Sequence, residues 1–353
     1  MEKHSPLSQT HEAMNRRAFL KLSGLLGLGV TSAGILPATA EAVKFNNKTY
    51  KVSETRSAMG TYVSMTLFHS SRDKAEEAMG HAFEEIDRLT GLMNRFDHTT
   101  AVAQLNNEGF QNDIPPEVAE VVASSLNYYQ ISHGTFDISV KPVIDLFKKN
   151  FAAKKTAFPD NTELDRALNL VGSDKIELKG RTIRFKKPGV GITLDGIAKG
   201  YIVDRASTVL SRHQLKDHLI NAGGDIRTSG ASRDKKHWTV AIQDPQKKKE
   251  YPDIIHMTDG AVATSGNYEV YFDREKMFHH IVDPKTGMSP HSSASVSVLA
   301  DTAMDADALS TSVFVMKPVA GVKFINSIPN CECLVMSRTG KIIKTPGWQS
   351  SAT

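Results

Sequence analysis

Cysteine is scarce in this sequence. Its 353 residues include two, Cys331 and Cys333, which lie close together near the C-terminal end. In an extended strand the Cα atoms of residues two apart are separated by about 6.6 Å, more than the roughly 5.5–6 Å most common in disulfide bonds, so these sulfur atoms are poorly placed for a disulfide bond with each other. We therefore predict that the fold does not depend on disulfide bonds, even in an oxidising compartment.

An excess of charge of one sign is also missing. Lys and Arg number 43 and Asp and Glu number 39, which leaves a formal net charge of +4. So small an excess does not support nucleic-acid binding, and the lysines within Gln246–Lys249 are typical of a solvated loop. Beyond the N-terminal region, the sequence also has no apolar run long enough to span a bilayer. We expect no nucleic-acid partner.

The composition is otherwise that of an ordinary globular protein. The chain is 40% hydrophobic and 23% charged, and it is long enough to bury a full core. Its length would allow either two domains or one large domain. Because we find no internal repeat and no convincing linker, we predict a single domain over residues 41–353.

The N-terminal region resembles an export signal. Arg16-Arg17 precedes an apolar run, Leu22–Leu36, which several glycines interrupt. The run is only mildly hydrophobic and short for a membrane anchor, although an uncleaved anchor is the alternative. Ala38-Thr39-Ala40 supplies the small residues of a cleavage site. Paired arginines in this context are typical of twin-arginine signals, so we predict export to the periplasm and a signal peptide over residues 1–40.

Apolar spacing predicts the main helices and strands. Apolar residues three or four apart indicate helices, and short runs bounded by turn residues indicate strands. The predicted helices are Asp73–Met93, Glu117–Ser132, Leu164–Val171 and a helix from about Tyr201 to His213. The predicted strands are Tyr62–Phe68, a hairpin within Lys175–Phe185, a strand from Ile192 towards Gly196, a strand in His218–Ile226, Trp238–Ile242, a strand from Phe278, Ser295–Leu299, and a hairpin of Cys331–Met336 with Lys341–Lys344. Pro142 is expected to interrupt the segment that begins at Thr135. The fold class is therefore α+β or α/β.

The segment Asp301–Met316 carries the clearest chemical signal. Thr302 and Asp305 form an acidic variant of a capping box, which predicts a helix. Asp307 and Thr311 lie four residues apart and therefore share one face of that helix. A carboxylate beside a hydroxyl suits a hard cation such as Mg²⁺. The alternative is that the acidic residues only complement the helix dipole.

A second segment, Ile192–Tyr201, passes through a turn that contains Gly196 and enters a helix. This is a geometry in which backbone amides meet an anion, and a plain strand-to-helix connection is the alternative. The spacing is neither that of a Walker loop nor that of a Rossmann fingerprint. Farther along, the small and polar residues of Gly260–Gly266 would let a ligand approach the backbone closely.

Seven short motifs follow one another along the chain. They are Ala58-Met59-Gly60-Thr61, Gly134-Thr135-Phe136-Asp137, Gly196-Ile197-Ala198-Lys199-Gly200-Tyr201, Asn221-Ala222-Gly223-Gly224-Asp225, Ala263-Thr264-Ser265-Gly266, His280-Ile281-Val282-Asp283-Pro284-Lys285-Thr286-Gly287 and Ala306-Asp307-Ala308-Leu309-Ser310-Thr311. In this order they resemble the motifs of the ApbE family, the FAD:protein FMN transferases. The resemblance implies an ApbE-like fold with mixed sheets flanked by helices. It also implies Mg²⁺-dependent transfer of FMN from FAD to a Thr or Ser hydroxyl of an acceptor protein, with release of AMP.

The resemblance further assigns roles to individual residues. Asp307, Thr311 and the backbone carbonyl of Gly196 would bind Mg²⁺, which offsets the charge of the pyrophosphate. His280 would be the general base that takes the proton of the acceptor hydroxyl, and a histidine packed at a sheet edge is the alternative. The implied FAD contacts are Met59, Phe96, Thr135, Phe136, Asp137, Thr193, Lys199 and Ile281.

Three of the implied FAD contacts also have an ordinary structural interpretation. Phe136 could belong to the core, Lys199 could be solvated at a helix start, and Asp137 could cap a turn. The chain departs from the family at two places. Thr193-Leu194-Asp195 stands where the family usually has Asp-Leu-Gly, and Phe96 stands where it commonly has a tyrosine that stacks on flavin.

Two other functions compete with the transferase. One is an FAD pyrophosphatase, in which water replaces the acceptor hydroxyl and FMN and AMP are released. The other is an exported FAD-binding module without catalysis. For the transferase, the family suggests that the acceptor is a subunit of a membrane respiratory complex with flavin attached to Thr.

Overall fold

The computed structural model describes residues 38–46, 49–154, 159–232, 236–245, 251–267, 279 and 281–350. Residues 1–37 of the predicted export signal, the lysines of Gln246–Lys249 and the predicted base His280 lie outside these ranges. The predicted boundary between signal and domain, at residue 40, falls within the first strand, because that strand begins at Ala38.

A sheet of nine strands organises the described part of the chain. In spatial order its strands are β1 (Ala38–Asn46), β2 (Thr49–Ala58), β3 (Thr61–His69), β7 (Asp217–Ala222), β8 (Asp225–Ser229), β11 (Gly260–Gly266), β12 (Ser293–Ala300), β13 (Glu332–Ser337) and β14 (Ile342–Lys344). The neighbouring strands pair antiparallel. Antiparallel neighbours can be joined by tight turns, as at Met59-Gly60 between β2 and β3 and at Gly223-Gly224 between β7 and β8.

Two smaller sheets and eight α-helices complete the described structure. The first small sheet contains β4 (Phe110–Gln111), β6 (Thr182–Phe185) and β5 (Ile176–Lys179), and the second contains β9 (Trp238–Ile242) and β10 (Asp253–Met257). The helices are α1 (Arg72–Met93), α2 (Ala101–Glu108), α3 (Pro116–Ile131), α4 (Lys141–Lys154), α5 (Asn161–Leu168), α6 (Ala198–Arg212), α7 (Ala303–Val315) and α8 (Pro318–Asn326). Antiparallel sheets with separate helices correspond to the α+β alternative of the predicted fold class.

Alternating side chains of the large sheet enter two different cores. Met65 and Ile220 pack in the main core with helix residues such as Phe83 of α1. Phe68 and Leu219 point to the opposite face and pack with Trp238 of β9. Successive residues of a strand point to opposite faces, so the adjacent pair Leu219 and Ile220 supplies both cores. Full burial of one such side chain stabilises the fold by about 1.5–3 kcal/mol.

Most predicted elements are present with small shifts at their ends, but three local predictions were wrong. Residues 281–283, predicted to continue the strand that begins at Phe278, lie outside any strand. Pro142 does not interrupt a segment, because it is the second residue of α4, and the first turn of a helix tolerates proline. Residues 192–194 lie outside any sheet. The N–H and carbonyl of Ile192 bond to the side chain of Asn106, and the N–H of Thr193 bonds to the Ile138 carbonyl, so these groups do not join a strand ladder.

Cys331 and Cys333 are both free, as the spacing predicted, and both are buried. Burial raises the pKa of the Cys331 thiol to about 11 and that of the Cys333 thiol to about 12. Among the helices in the described ranges, none combines the length and the apolar character needed to cross a bilayer.

Candidate active site

Helix α7 carries the two side chains predicted to bind metal. Thr302 caps its N-terminus by accepting a hydrogen bond from the N–H of Asp305 at 3.1 Å, as the sequence predicted. The Asp305 carboxylate accepts a hydrogen bond from the hydroxyl of Tyr128 on α3. Most residues of α7 are buried, including Asp307, Ser310, Leu309 and three Ala residues. Polar groups in such a buried helix need partners within the protein.

The Asp307 carboxylate contacts the start of α6. It is 6% exposed, and its Oδ2 accepts a hydrogen bond from the backbone N–H of Gly200 at 3.2 Å. The two helices can approach this closely because Gly200 has no side chain, and a Cβ at this position would collide with the backbone of Ala303. The first turn of α6 is therefore fixed beside the predicted metal-binding face.

Gly196 lies against the same face of α7. A Cβ added at Gly196 would lie 3.1 Å from Oγ1 of Thr311, so the loop and the threonine hydroxyl are direct neighbours. On the other side, Oγ of Ser265 in β11 lies 3.3 Å from Oγ1 of Thr311 and 2.9 Å from Oγ of Ser310. A loop, a strand and a helix, far apart in the sequence, thus meet at Thr311.

A pocket opens where these elements converge. Among the residues that line it are Thr135, Phe136, Asp137, Thr193, Gly196, Lys199, Ile281, Asp307 and Thr311, which are nine of the twelve predicted site residues. Asp195, Ser265, Gly266 and Val282 belong to the same lining. Of the other three predicted residues, Met59 and Phe96 lie elsewhere, and His280 is outside the described residues.

Asp137 is committed to contacts within the protein. Its Oδ1 accepts hydrogen bonds from the N–H and hydroxyl of Ser139 at 2.8 and 2.6 Å and from the hydroxyl of Ser173 at 2.6 Å. Its Oδ2 accepts one from the N–H of Ser173 at 3.2 Å. Burial raises the pKa of Asp137, and these hydrogen bonds act against the rise. The geometry matches the turn-capping interpretation of this residue, at the wall of the pocket.

Phe136 is a core residue, which is one of the two interpretations of its sequence context, and it also lines the pocket. It is 3% exposed and packs edge-on against Tyr128, with ring centroids 5.9 Å apart. The same ring lines the pocket and lies close to Gly196. A core aromatic side chain therefore forms part of the pocket wall.

Lys199 is paired with an acidic residue of the neighbouring sheet. Its ammonium nitrogen lies 3.3 Å from Oδ2 of Asp225, whose side chain is 2% exposed. Asp225 is the first residue of β8 and follows the Gly223-Gly224 turn. The pair places a positive charge at the pocket and balances a buried negative charge beside it.

Phe96 lies on the surface, 65% exposed, and two cations contact its ring. The guanidinium carbon of Arg95 is 4.3 Å from the ring centroid, and the ammonium nitrogen of Lys148 is 4.8 Å from it. Arg95 also pairs with Asp195 at 3.3 Å. Because Asp195 lines the pocket, Arg95 connects Phe96 to the pocket rim.

Met59 lies in the turn between β2 and β3, where its φ of 52° is left-handed. Its side chain is partly buried and packs against the main core. A left-handed conformation is uncommon for a residue other than glycine, so the turn is held by its surroundings. Next to this turn, the N–H of Gly223 donates a hydrogen bond to the carbonyl of Tyr62 in β3 at 3.2 Å.

The two residues that flank His280 are part of the described structure. His279 is buried, its N–H donates to Oγ of Ser289 at 2.9 Å, and its Nε2 lies 3.1 Å from the carbonyl oxygen of Pro290. Its ring also packs edge-on against Phe314 of α7 at 5.5 Å. Ile281, on the other side, lines the pocket. His279 therefore has a structural role, and the chain reaches the pocket directly after position 280.

Several residues of this region were not predicted from the sequence. Asp225 and Ser265 lie within two of the seven motifs, and this position in a motif is the sequence feature that could have identified them. Asn106 and Arg95 have no such local signal, because their partners Ile192 and Asp195 lie 86 and 100 residues away.

The donor groups around Thr311 fit a hard divalent cation. In the part of the chain that the structure describes, no three or more His, Cys, Asp or Glu side chains form a metal-binding cluster. The predicted set instead combines the Asp307 carboxylate, the Thr311 hydroxyl and a backbone carbonyl at Gly196, which all offer oxygen. Mg²⁺ prefers oxygen donors, binds few protein ligands and keeps positions for water and substrate phosphates.

The sequence of this chain is similar to those of a known protein family. The sequence profile of the ApbE family matches residues 59–335. The FAD:protein FMN transferase of Haemophilus influenzae is 29% identical over 284 residues, which are 76% of this chain and 82% of the relative. The FAD:protein FMN transferase of Vibrio cholerae is 29% identical over 256 residues, which are 69% of this chain and 77% of the relative.

Solved structures show the same architecture. The crystal structure of the ApbE protein from Thermotoga maritima superposes with a TM-score of 0.77 at 28% identity and covers 84% of this chain and 97% of its own. The flavin transferase ApbE from Vibrio cholerae superposes with a TM-score of 0.72 at 23% identity and covers 87% and 98%, respectively. The α+β arrangement of helices and sheets is thus confirmed as the fold of these proteins.

Proposed function

This chain belongs to the ApbE family, and from that premise we propose that it transfers FMN from FAD to an acceptor protein in a Mg²⁺-dependent reaction. The curated relatives from Haemophilus influenzae and Vibrio cholerae are named FAD:protein FMN transferases. The transfer of FMN from FAD to a protein is therefore the activity of this chain.

One structural observation carries the assignment of the site. Asp307, Thr311 and Gly196 adjoin one another at a single pocket, whose wall also contains six of the predicted FAD contacts. These residues come from segments more than a hundred positions apart, as the 107-residue separation of Gly200 and Asp307 illustrates. Metal ligands and a flavin dinucleotide site in one pocket are what phosphoryl transfer from FAD requires.

The reaction that we propose is a displacement at phosphorus. The oxygen of the acceptor hydroxyl forms a bond to the phosphorus of the FMN half of FAD. The bond from that phosphorus to the bridging oxygen breaks, and AMP leaves with the bridging oxygen. The hydroxyl proton passes to His280, which acts as general base because an imidazole titrates near neutral pH.

Asp307, Thr311 and the carbonyl of Gly196 would hold Mg²⁺ at the pyrophosphate. When bound, the ion supplies charge neutralisation at the phosphates. The protein contributes position: α6 and β11 hold the α7 face through the contacts of Asp307 with Gly200 and of Thr311 with Ser265. Lys199 adds a positive charge at the same pocket, balanced by Asp225.

The acceptor that we propose is a protein with a flavinylated Thr or Ser, such as a subunit of a membrane respiratory complex. Coexpression of a candidate acceptor with this enzyme, followed by in-gel flavin fluorescence, tests the proposal. We expect a fluorescent acceptor band with the wild-type enzyme, and no such band with Asp307→Ala or Thr311→Ala.

Ser312→Ala is a matched control, because Ser312 adjoins Thr311 but its hydroxyl donates to the Ala308 carbonyl within the helix at 2.7 Å. This variant should label the acceptor as the wild type does. Rapid release of FMN and AMP without acceptor would favour the pyrophosphatase instead. Tight FAD binding that is insensitive to chelator, without release or transfer, would favour a binding module.

The role of His280 needs its own test. His280→Ala should abolish acceptor labelling while FAD still binds, because only the proton acceptor is removed. His98→Ala, at an exposed position, serves as the control and should keep full activity. Unchanged labelling by His280→Ala would rule out the general-base role.

We also propose export to the periplasm through the Arg16-Arg17 signal. Cell fractionation of the full chain should recover the protein in the periplasm. Replacement of both arginines by lysine should retain it in the cytoplasm, because the twin-arginine pathway recognises the arginine pair. Periplasmic recovery of the double lysine variant would contradict this proposal.

A further inference from the structure

Asp204 of α6 binds the N-terminus of the metal-binding helix α7 from outside that helix. Its Oδ1 accepts a hydrogen bond from the N–H of Ala303 at 2.9 Å, and its Oδ2 accepts one from the N–H of Met304 at 2.9 Å. These are the first two N–H groups of α7, which have no partner within the helix. The side chain of Thr302, the capping residue of α7 itself, accepts its hydrogen bond from the N–H of Asp305. One carboxylate thus holds α7 at two adjacent backbone positions.

The charge on Asp204 suits this position. A negative charge near a helix N-terminus is stabilising because it meets the positive end of the helix dipole. Arg227 of β8 lies behind the carboxylate, with its Nε 3.9 Å from Oδ1 of Asp204, and its guanidinium also donates to the carbonyl of Asp301. Asp305 faces the same region and is held by the Tyr128 hydroxyl. Asp204 is therefore fixed from the sheet side while it binds the helix.

A second contact joins the same two helices one turn away. Gly200 lies four residues before Asp204, so both residues share a face of α6. Gly200 permits close approach to Ala303 and donates its N–H to the metal-ligand candidate Asp307. Helix α7 is therefore attached to α6 at its first turn by Asp204 and at its second turn by Gly200.

These two attachments determine where α7 lies along α6. A shift of α7 by one residue would displace it by about 1.5 Å and would break both Asp204 hydrogen bonds. The same shift would move Thr311 away from Gly196, against which it now lies at contact distance. Misplacement of ligands on this scale is sufficient to weaken a metal site.

We propose that Asp204 is a positioning residue, which holds α7 in the register along α6 at which Asp307, Thr311 and Gly196 together bind the divalent cation. This inference rests on the proposed function, because it concerns the metal of that reaction. Asp204 does not touch the metal or the substrate; it acts through the backbone of Ala303 and Met304.

The test is Asp204→Asn, read by direct Mn²⁺ binding in the absence of FAD and acceptor. The amide keeps the volume of the side chain but replaces one of the two accepting oxygens by a donor, which cannot bond to an N–H. We expect the Mn²⁺ dissociation constant to rise by about tenfold, as for other residues that orient metal ligands. The Mg²⁺ concentration for half-maximal FMN transfer should rise by the same factor.

Thr302→Ala is the matched control, because it removes a cap from the same helix end and leaves the contact with α6 intact. It should lower the melting temperature and leave Mn²⁺ affinity unchanged. If both variants weaken Mn²⁺ binding equally, the effect is a general loss of capping and the register role is wrong. The role is also wrong if Asp204→Asn melts at a lower temperature but binds Mn²⁺ as the wild type does.

If Asp204→Asn does not fold, Asp204→Glu takes its place. The longer side chain keeps both oxygens and the charge but moves them by one methylene, so we expect weaker Mn²⁺ binding, and wild-type affinity would overturn the proposal. A wild-type protein that binds no Mn²⁺ would instead refute the proposed metal site. Failure of the inference and failure of the proposed function are therefore distinguishable.

Discussion

The ammonium group of Lys199 lies 3.3 Å from the carboxylate of Asp225, and both side chains are largely removed from water. Lys199 is in the first turn of α6 and Asp225 begins β8, so the pair joins a helix to the large sheet at the edge of the pocket. Removing one partner of a buried ion pair leaves an uncompensated charge, which costs more than removing both.

We therefore expect Lys199→Met to lower the free energy of unfolding by on the order of 3 kcal/mol. The double variant with Asp225→Asn should recover a large part of that loss. Urea unfolding of the wild type, both single variants and the double variant measures the coupling between the two side chains. Additive single effects would show that the pair contributes no stabilising interaction.

Gly200→Ala should destabilise the protein because its Cβ would collide with the backbone of Ala303. Overpacking of this kind costs about 1–3 kcal/mol, and it should also displace α7 and reduce FMN transfer. Gly80→Ala is the control, since Gly80 is also helical and its Cβ would meet open space. Thermal unfolding should show the control equal to or more stable than the wild type. An equally stable Gly200→Ala would mean that the helices separate at little cost.

Phe96→Ala should affect flavin binding more than folding. The side chain is 65% exposed, so we expect the free energy of unfolding to change by less than about 1 kcal/mol. If Phe96 stacks on flavin, FAD affinity measured by fluorescence quenching should fall by about tenfold. Phe96→Tyr should bind FAD at least as well as the wild type. Phe110→Ala, at another exposed phenylalanine, should leave FAD affinity unchanged.

His218 should make the protein less stable in mild acid. It is fully buried in β7, with Nε2 2.7 Å from Oγ of Ser207 and Nδ1 2.8 Å from the carbonyl oxygen of Leu215. Burial lowers its pKa from 6.5 to about 4, so the unfolded chain binds a proton more readily than the folded protein does. This contribution to stability is full above pH 6.5 and is lost as the pH falls towards about 4.

Urea unfolding between pH 7 and pH 4 tests this prediction, with an expected loss of up to about 3 kcal/mol from this group. His218→Gln should be less stable at neutral pH but should lose less stability on acidification. His98→Gln, at an exposed histidine, should follow the wild-type pH profile. An identical pH profile for His218→Gln would show that other groups cause the acid sensitivity.

Cys331 and Cys333 should be unreactive in the folded protein. The thiolate is the reactive form, and burial raises the pKa of these thiols to about 11 and about 12. A disulfide-exchange reagent such as Ellman's reagent should therefore modify neither cysteine in native buffer and both in denaturant. A reducing agent should leave the melting temperature unchanged, because no disulfide is present. Rapid modification of the native protein would show that this region opens readily.

Local patterns in the sequence are sufficient to predict the main helices and strands and the order of the chemical motifs. Apolar spacing indicated α1, the capping pair Thr302 and Asp305 indicated α7, and glycine turns indicated the β5–β6 and β13–β14 hairpins. The shared helix face of Asp307 and Thr311 also followed from their spacing alone. These features depend on residues that are neighbours in the chain, so a local pattern is sufficient to predict them.

The contacts between those elements could not be predicted from the sequence and became visible in the folded chain. The pairing of Arg95 with Asp195 joins residues 100 apart, and the bond from Gly200 to Asp307 joins residues 107 apart. The Asp137 carboxylate could have faced a ligand, but Ser173, 36 residues away, occupies it. No local pattern encodes such partners, because they are chosen by the packing of the whole chain around its cores. For the same reason, the metal-binding face was visible in the sequence, whereas its attachment to α6 was not.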